Sequence, residues 1–342
     1  MMDDPRDLSG GTPRPAGTFV HRHAAHCESG VMSGLLRHYG LDVSEAMAFG
    51  LASALVFVYL PFVKVGGFPL VAYRMAPGTI ISGLERALGL RMHRRRYRNQ
   101  DQGRADLNAH LAAGRPVGLQ VSVYWLPYFP PEMRFHFNAH NLIAFGRNDA
   151  GDYRLSDPVF EEPVLCAGEP LHKARFVRGL FAPKGLIYYP RRMPGRIDYA
   201  PAIRRATRKT AQRMLRTPLP YIGVRGIRTL ARRLAALPQA GNDLRYARLF
   251  VAQVIRMQEE IGTGGGGFRF LYASFLQEAA DLTGERRYDQ AMQRMTQAGD
   301  AWRQFAALGA TLCRAKSSDF PALGSALEEC ARLEEETYRL LA

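Results

Sequence analysis

The stretch His21-Arg22-His23-Ala24-Ala25-His26-Cys27-Glu28-Ser29-Gly30 runs into Val31-Met32-Ser33-Gly34-Leu35-Leu36-Arg37-His38-Tyr39-Gly40. It sets one cysteine where a polar, histidine-rich approach becomes an apolar-periodic segment. Val31, Leu35 and Leu36 recur at helical spacing and Gly40 supplies a stop, so a helix is expected to begin at Cys27. Unpaired amides and the positive end of the helix dipole favour the thiolate there, and the thiolate is the reactive form of cysteine. A lone cysteine is ordinarily a small buried hydrophobe, but the polar approach and the helix start single out Cys27 as a nucleophile.

A thiol nucleophile calls for a base and a group that orients the base. Among nine histidines, His140 heads an apolar strand pattern, His140-Asn141-Leu142-Ile143-Ala144-Phe145. Asp157 closes the next one, Tyr153-Arg154-Leu155-Ser156-Asp157-Pro158. Asn148-Asp149-Ala150-Gly151 between them has the residue types of a tight hairpin. The midpoint of positions 140 and 157 falls inside that turn, so the two side chains are expected near-opposite, within about two residues of loop register.

Working outward, residues 104–190 hold short β-favouring runs at 116–125, 140–147, 152–158 and 185–190, bounded by Gly, Pro, Asn or Asp. Ala46–Val63 is uncharged and as long as a minimal membrane span. It contains Gly50, Ser53 and Pro61 and shifts from helix formers to Val56-Phe57-Val58-Tyr59, which reads as a buried helix running into a buried strand. From about Ala200 the apolar residues recur at three- and four-residue spacing in long segments. The expected layout is a leader without structure over 1–17, an α+β catalytic domain over 18–190, a linker at 191–200 and an all-α domain over 201–342. Gly264–Gly267 opens a helix in that last domain. No strand precedes it and no Gly-Lys-Ser/Thr follows, so a close backbone approach or a hinge is expected rather than a nucleotide cradle.

The four cysteines, Cys27, Cys166, Cys313 and Cys330, are far apart and show no metal-ligand spacing. This argues against a disulfide framework or a zinc site and for a reducing, cytoplasmic setting. The polar start of the chain lacks the charged and apolar regions of a signal peptide. Net charge is +15, with thirteen Lys/Arg against one acid between Arg191 and Arg233. That stretch is either a solvated helix face or a docking surface for an acidic partner. No nucleic-acid motif accompanies it, so nucleic acid is not expected as a partner.

Taken together, His26-Cys27-Glu28-Ser29, the Gly50–Tyr59 segment, Gly114-Arg115-Pro116-Val117, Tyr124-Trp125-Leu126-Pro127-Tyr128, His140, Gly146 and Asp157-Pro158 resemble the N-terminal domain of the butirosin biosynthesis protein H family. The resemblance covers roughly residues 18–190. The remainder, with Gly262-Thr263-Gly264-Gly265-Gly266-Gly267-Phe268-Arg269 and then Tyr272, Phe275, Leu276, Glu278 and Ala279, is similar to the helical domain often fused to it. Ser122 departs from the family pattern, in which an acidic residue is expected just before Tyr124.

The resemblance implies a papain-like fold, an antiparallel sheet with a nucleophile helix. It implies an acyltransferase of natural-product or lipid-like metabolite biosynthesis that moves an acyl group from a carrier-protein thioester to a small-molecule amine, the phosphopantetheine belonging to the donor and no cofactor to this chain. Papain-like enzymes place a glutamine six residues before the nucleophile to bind the oxyanion. His21 stands there, so His21 and the Cys27 amide are the expected donors, with His26, Glu28 and Tyr124 as further substrate or oxyanion candidates. Phe57, Tyr59, Tyr124, Trp125 and Tyr128 line an acyl pocket or belong to ordinary core. A cysteine hydrolase and a non-catalytic binding module remain as alternatives, and a homodimer is compatible with the sequence.

Overall fold

The computed structural model describes residues 19–237, 244–314 and 319–342. The leader expected over 1–17 lies outside them. In chain order the elements are α1 (Cys27–His38), α2 (Glu45–Leu51), β1 (Leu55–Val65), β2 (Phe68–Arg74), α3 (Thr79–Leu88), β3 (Arg91–Arg95), α4 (Gln100–Ala112) and β4 (Val117–Val121). They continue with β5 (His140–Arg147), β6 (Tyr153–Ser156), β7 (Val164–Cys166), α5 (Gly168–Arg175), β8 (Ile187–Arg192), α6 (Tyr199–Arg216), α7 (Gly223–Ala235), α8 (Leu244–Glu259), α9 (Arg269–Thr283), α10 (Arg286–Arg314) and α11 (Phe320–Leu341). The fold is α+β, with antiparallel sheets in the N-terminal part and a helical C-terminal region, as the sequence led us to expect. Ala46–Val63 is a helix running into a strand, and among the described residues no helix is long and apolar enough to cross a membrane.

The described residues divide into two compact units, one from 19–48 with 77–197 and the other from 49–76 with those beyond 197. This departs from the single boundary expected near residue 190. The β1–β2 hairpin groups with the helices because Val58 bridges to Ile222 and the Tyr59 amide donates to the Tyr221 carbonyl at 2.8 Å. Such pairing is long-range and leaves no trace in local periodicity. The expected linker is also shorter, since β8 runs to Arg192 and α6 begins at Tyr199.

The first unit is built on a six-stranded antiparallel sheet in the order β3-β8-β4-β5-β6-β7. Val117, Leu119, Val121, Leu142, Leu155 and Ile187 pack one face into a core with Leu107 and Leu111 of α4. Alternation along each strand produces that face. Helix α1 lies against β5, where a Cβ on Gly34 would come within 3.0 Å of Ile143 Cδ1. His26 caps α1 with extended backbone (φ −136°, ψ 134°), its ring accepting from the Ser29 amide, and Gly40 at φ +95° stops it.

The second unit packs the β1–β2 hairpin with α6 to α11. Its core centres on Phe57, Tyr73 and Trp302, with Phe57 5.5 Å from Tyr73 and 5.7 Å from Trp302 between ring centroids. Arg269 and Glu334 form a fully buried pair at 2.9 Å, and Glu334 also accepts from Trp302 Nε1 and the Tyr338 hydroxyl. Those donors satisfy the carboxylate, as a charge removed from water requires. Gly267 adopts φ +58°, and a Cβ there would meet the Tyr73 ring at 2.5 Å. The glycine run is thus a close backbone approach, one of the two expectations for it.

Candidate active site

Helix α1 presents Cys27 at its first turn, 6% exposed. Strand β5 presents His140 at its first residue, and Asp157 follows the last residue of β6. The β5–β6 register pairs Ile143 with Ser156 and Ala144 with Leu155, two positions from the symmetric pairing of 140 with 157. Side-chain reach closes that offset, and His140 Nε2 lies 2.7 Å from Asp157 Oδ2. His140 and Asp157 are both buried, Asp157 completely.

Burial is the largest influence on the His140 imidazole and disfavours its charge. The Asp157 carboxylate, its hydrogen bond and the Cys27 thiol outweigh it and raise the imidazole to about 10. Cys27 is thus near enough to bear on the imidazole, and with Nε2 held by Asp157, Nδ1 is the ring nitrogen left for the thiol. Burial pushes the thiol of Cys166 up to about 12, which makes it inert by comparison.

Asp157 has two further donors. The Tyr128 hydroxyl donates to Oδ2 at 2.9 Å and the Val159 amide to Oδ1 at 3.3 Å. Tyr128, grouped in sequence with pocket aromatics, therefore fixes the carboxylate that fixes the histidine. Burial and then the Asp157 charge hold its hydroxyl well above the usual phenol range, so it stays a donor.

The first amides of a helix lack intrahelical acceptors, and here their partners can be followed one by one. The His26 amide donates to Glu45 Oε1 at 2.7 Å and the Ser29 amide to the His26 ring at 3.3 Å. The Cys27 amide has no acceptor among the described residues, which leaves it open beside the thiol.

The other sequence candidates fall elsewhere. In the neutral ring, His21 Nε2–H donates to the Phe160 carbonyl at 3.0 Å and Nδ1 accepts from the Ser156 hydroxyl at 2.7 Å. His21 therefore straps the Asp157 segment rather than offering a donor to an oxyanion. His26 serves as the N-cap of α1 through its ring. The fully buried Glu28 accepts from the Ile80 amide at 3.0 Å. It caps α3, whose own N-cap, Gly78, has no side chain to do so. Tyr124 is 41% exposed, with its ring 4.0 Å from that of His136. Phe57 and Tyr59 are buried in the core of the second unit. Ser122 is completely buried after β4, its amide donating to the Ala174 carbonyl.

Among the described residues no group of three or more His, Cys, Asp or Glu is placed to hold a metal ion. All four cysteines are free. Sequence reasoning placed Tyr128 among pocket or core aromatics rather than on Asp157, and it did not single out Glu45. Both act through hydrogen bonds to a carboxylate or to backbone amides, for which no spacing rule exists.

Residues 26–158, which include Cys27, His140 and Asp157, match the family described as Butirosin biosynthesis protein H, N-terminal. Residues 169–341 match the Domain of unknown function DUF4872. No curated protein matches the chain. The first match runs through the β1–β2 hairpin of the second unit, and the second contains α5 and β8 of the first. The chain thus belongs over half of its length to the DUF4872 family and carries before it a butirosin biosynthesis protein H N-terminal domain, which points to an enzyme domain of secondary-metabolite biosynthesis.

Proposed function

We propose that the protein is a cysteine-dependent acyltransferase that takes an acyl group from a carrier-protein thioester, holds it on Cys27 and passes it to a small-molecule amine. The observation that carries this reading is an imidazole held at 2.7 Å by a buried carboxylate, with a helix-start thiol near enough to influence it. The raised His140 imidazole supplies the positive charge that a thiolate would pair with. The Cys27 thiolate attacks the thioester carbonyl, the Cys27 amide donates to the developing oxyanion, and His140 returns its proton to the departing pantetheine sulfur.

Acylation removes the thiolate, one of the influences that raise His140. The neutral imidazole then takes a proton from the attacking amine, the amide product leaves, and the thiolate–imidazolium pair is restored. Exchange of one thioester for another is close to isoenergetic, so the first step needs no ATP. Asp157, Tyr128 and the Val159 amide hold the ring in one tautomer throughout.

Hydrolysis would use the same three groups with water as acceptor. The near-complete burial of Cys27, His140 and Asp157 favours transfer, since water must be kept from the acyl-enzyme. An acidic carrier protein suits the surplus of basic charge, part of which lies on α6. There Arg204, Arg205 and Arg208 are exposed, and Arg205 and Arg208 make no ion pair among the described residues.

Intact-mass spectrometry after incubation with an acyl-loaded carrier protein tests the proposal. Wild type should gain one acyl group and Cys27→Ala none, and a small-molecule amine should discharge the adduct as amide. An adduct persisting in Cys27→Ala would remove the nucleophile assignment. Release of free acid alone, whichever amine is offered, would convert the reading to a hydrolase.

A further inference from the structure

Two residues before the nucleophile, the chain is held from outside α1. Glu45, the first residue of α2, accepts from the Ala25 amide through Oε2 at 2.9 Å and from the His26 amide through Oε1 at 2.7 Å. The Ser29 hydroxyl adds a third bond to Oε1 at 3.1 Å. One carboxylate thus grips the backbone on the approach to Cys27 and the first turn beyond it. Among the described residues no other side chain bonds to two consecutive amides in this segment.

We propose that Glu45 is a positioning residue for the nucleophile, fixing the turn that aims Cys27 at His140 and leaves the Cys27 amide open. The part concerning the thiol and imidazole does not depend on the acyltransferase reading. Only the use of that amide toward a thioester oxygen rests on the acyltransferase reading.

The grip depends on ionisation. A carboxylate offers acceptor lone pairs on both oxygens, whereas a protonated one turns a hydrogen toward a donor and must release at least one bond. Burial, the largest influence, raises the Glu45 carboxyl, while the Ala25 and His26 amides, Ser29 and the charge of His23 oppose it. The net direction is upward. The groups facing it are His23 and His26 on the approach, Arg22 beside them and Arg37 on α1. Glu45, Arg22, His23 and Arg37 line a common cavity of about 200 Å³, which gives protons a route in. A raised carboxyl favours the fold below the ordinary carboxylate range and loses that contribution as pH rises through the folded value. Ionised Glu45 therefore serves the thiol rather than global stability.

The test is the pH dependence of Cys27 alkylation by iodoacetamide in the full chain, a readout that needs no knowledge of the natural substrate. Wild type should lose reactivity as pH falls through the Glu45 titration, above the usual range for glutamate. Glu45→Gln, which lacks one acceptor oxygen, should react about tenfold more slowly at neutral pH, with that acid limb gone and its melting temperature little changed. Glu45→Asp should recover part of the rate and the acid limb. An unchanged or faster rate in a folded Glu45→Gln protein would overturn the proposal. If that variant does not fold, hydrogen exchange at the Ala25 and His26 amides of wild type decides. Protection lost with the same midpoint as alkylation supports the clamp, and separate midpoints overturn it. Failure of acyl transfer alone, with these profiles intact, would count against the proposed function and not against Glu45.

Discussion

The charge of Asp157 decides which form of His140 the protein holds. Burial alone would keep the imidazole neutral, and the raised value of about 10 exists because Asp157 and Cys27 outweigh it. A histidine raised in the folded state contributes stability that is fully present below its unfolded value of about 6.5. That contribution is lost as pH rises through about 10. Asp157→Asn removes the charge while keeping the shape, so burial should prevail and leave the ring neutral at pH 7. We expect the decline in melting temperature between neutral pH and pH 10 to flatten in this variant. The proposed acyl transfer should fall by roughly 10⁴, the scale for an imidazole held in the wrong tautomer. Wild-type turnover in the Asp157→Asn protein would mean that His140 needs no orienting anion. The pairing of these two residues was legible in sequence because a hairpin links them through a short turn. Tyr128, which completes the carboxylate's shell, was not, since its bond to Asp157 spans 29 positions with no repeating pattern between.

At the level of elements, the start of α1 is wedged against the segment that carries Asp157. The Ala24 amide donates to the Pro158 carbonyl at 2.7 Å. A Cβ on Gly30 would fall 2.6 Å from the Ala24 Cβ and 3.0 Å from the Pro158 Cβ. Neither neighbour is the end of a flexible chain, so both backbones would have to move. In an exposed helix Gly→Ala gains about 0.5–1 kcal/mol of helix propensity. Overpacking at rigid contacts costs about 1–3 kcal/mol, so here the clash wins. Gly30→Ala is expected to lower stability in urea unfolding and to reduce turnover by more than the unfolded fraction explains, because Pro158 follows Asp157 directly. Equal losses in the two measurements would show that the wedge supports the fold without setting the site. The helix start at Cys27 and the strands at 140–147 and 153–156 were readable from periodicity and turn residues. The capping of α3 by Glu28 was not, because it joins two elements through one carboxylate and one amide 52 positions apart.

At the scale of the whole molecule, contiguous sequence and compact structure disagree in a definite way. Residues 49–76 look like a continuation of the catalytic region, being apolar and β-favouring, yet they pair with the segment around Tyr221 and Ile222. Conversely β8 lies beyond the first family match, which stops at residue 158, and still occupies the sheet between β3 and β4. Local pattern reports that a strand exists but not which sheet takes it. A fragment of residues 19–168 would contain Cys27, His140 and Asp157 and lack β8. Strand β3 would then lose its only neighbour in the sheet order, and β4 would become an unpaired edge bearing Val117, Leu119 and Val121. Ile187 and Tyr188, both fully buried, would be missing from the interior. Burial of such side chains is worth roughly 1.5–3 kcal/mol each. With the ladder bonds of two strand pairs also gone, the loss is comparable to the whole stability of a typical domain, about 5–15 kcal/mol. The fragment is therefore expected to show no cooperative thermal transition and to alkylate at Cys27 like an unstructured thiol. A cooperative melt with the reactivity profile of the full chain would show instead that β8 is dispensable and that the catalytic set is held by α1, β5 and β6 alone.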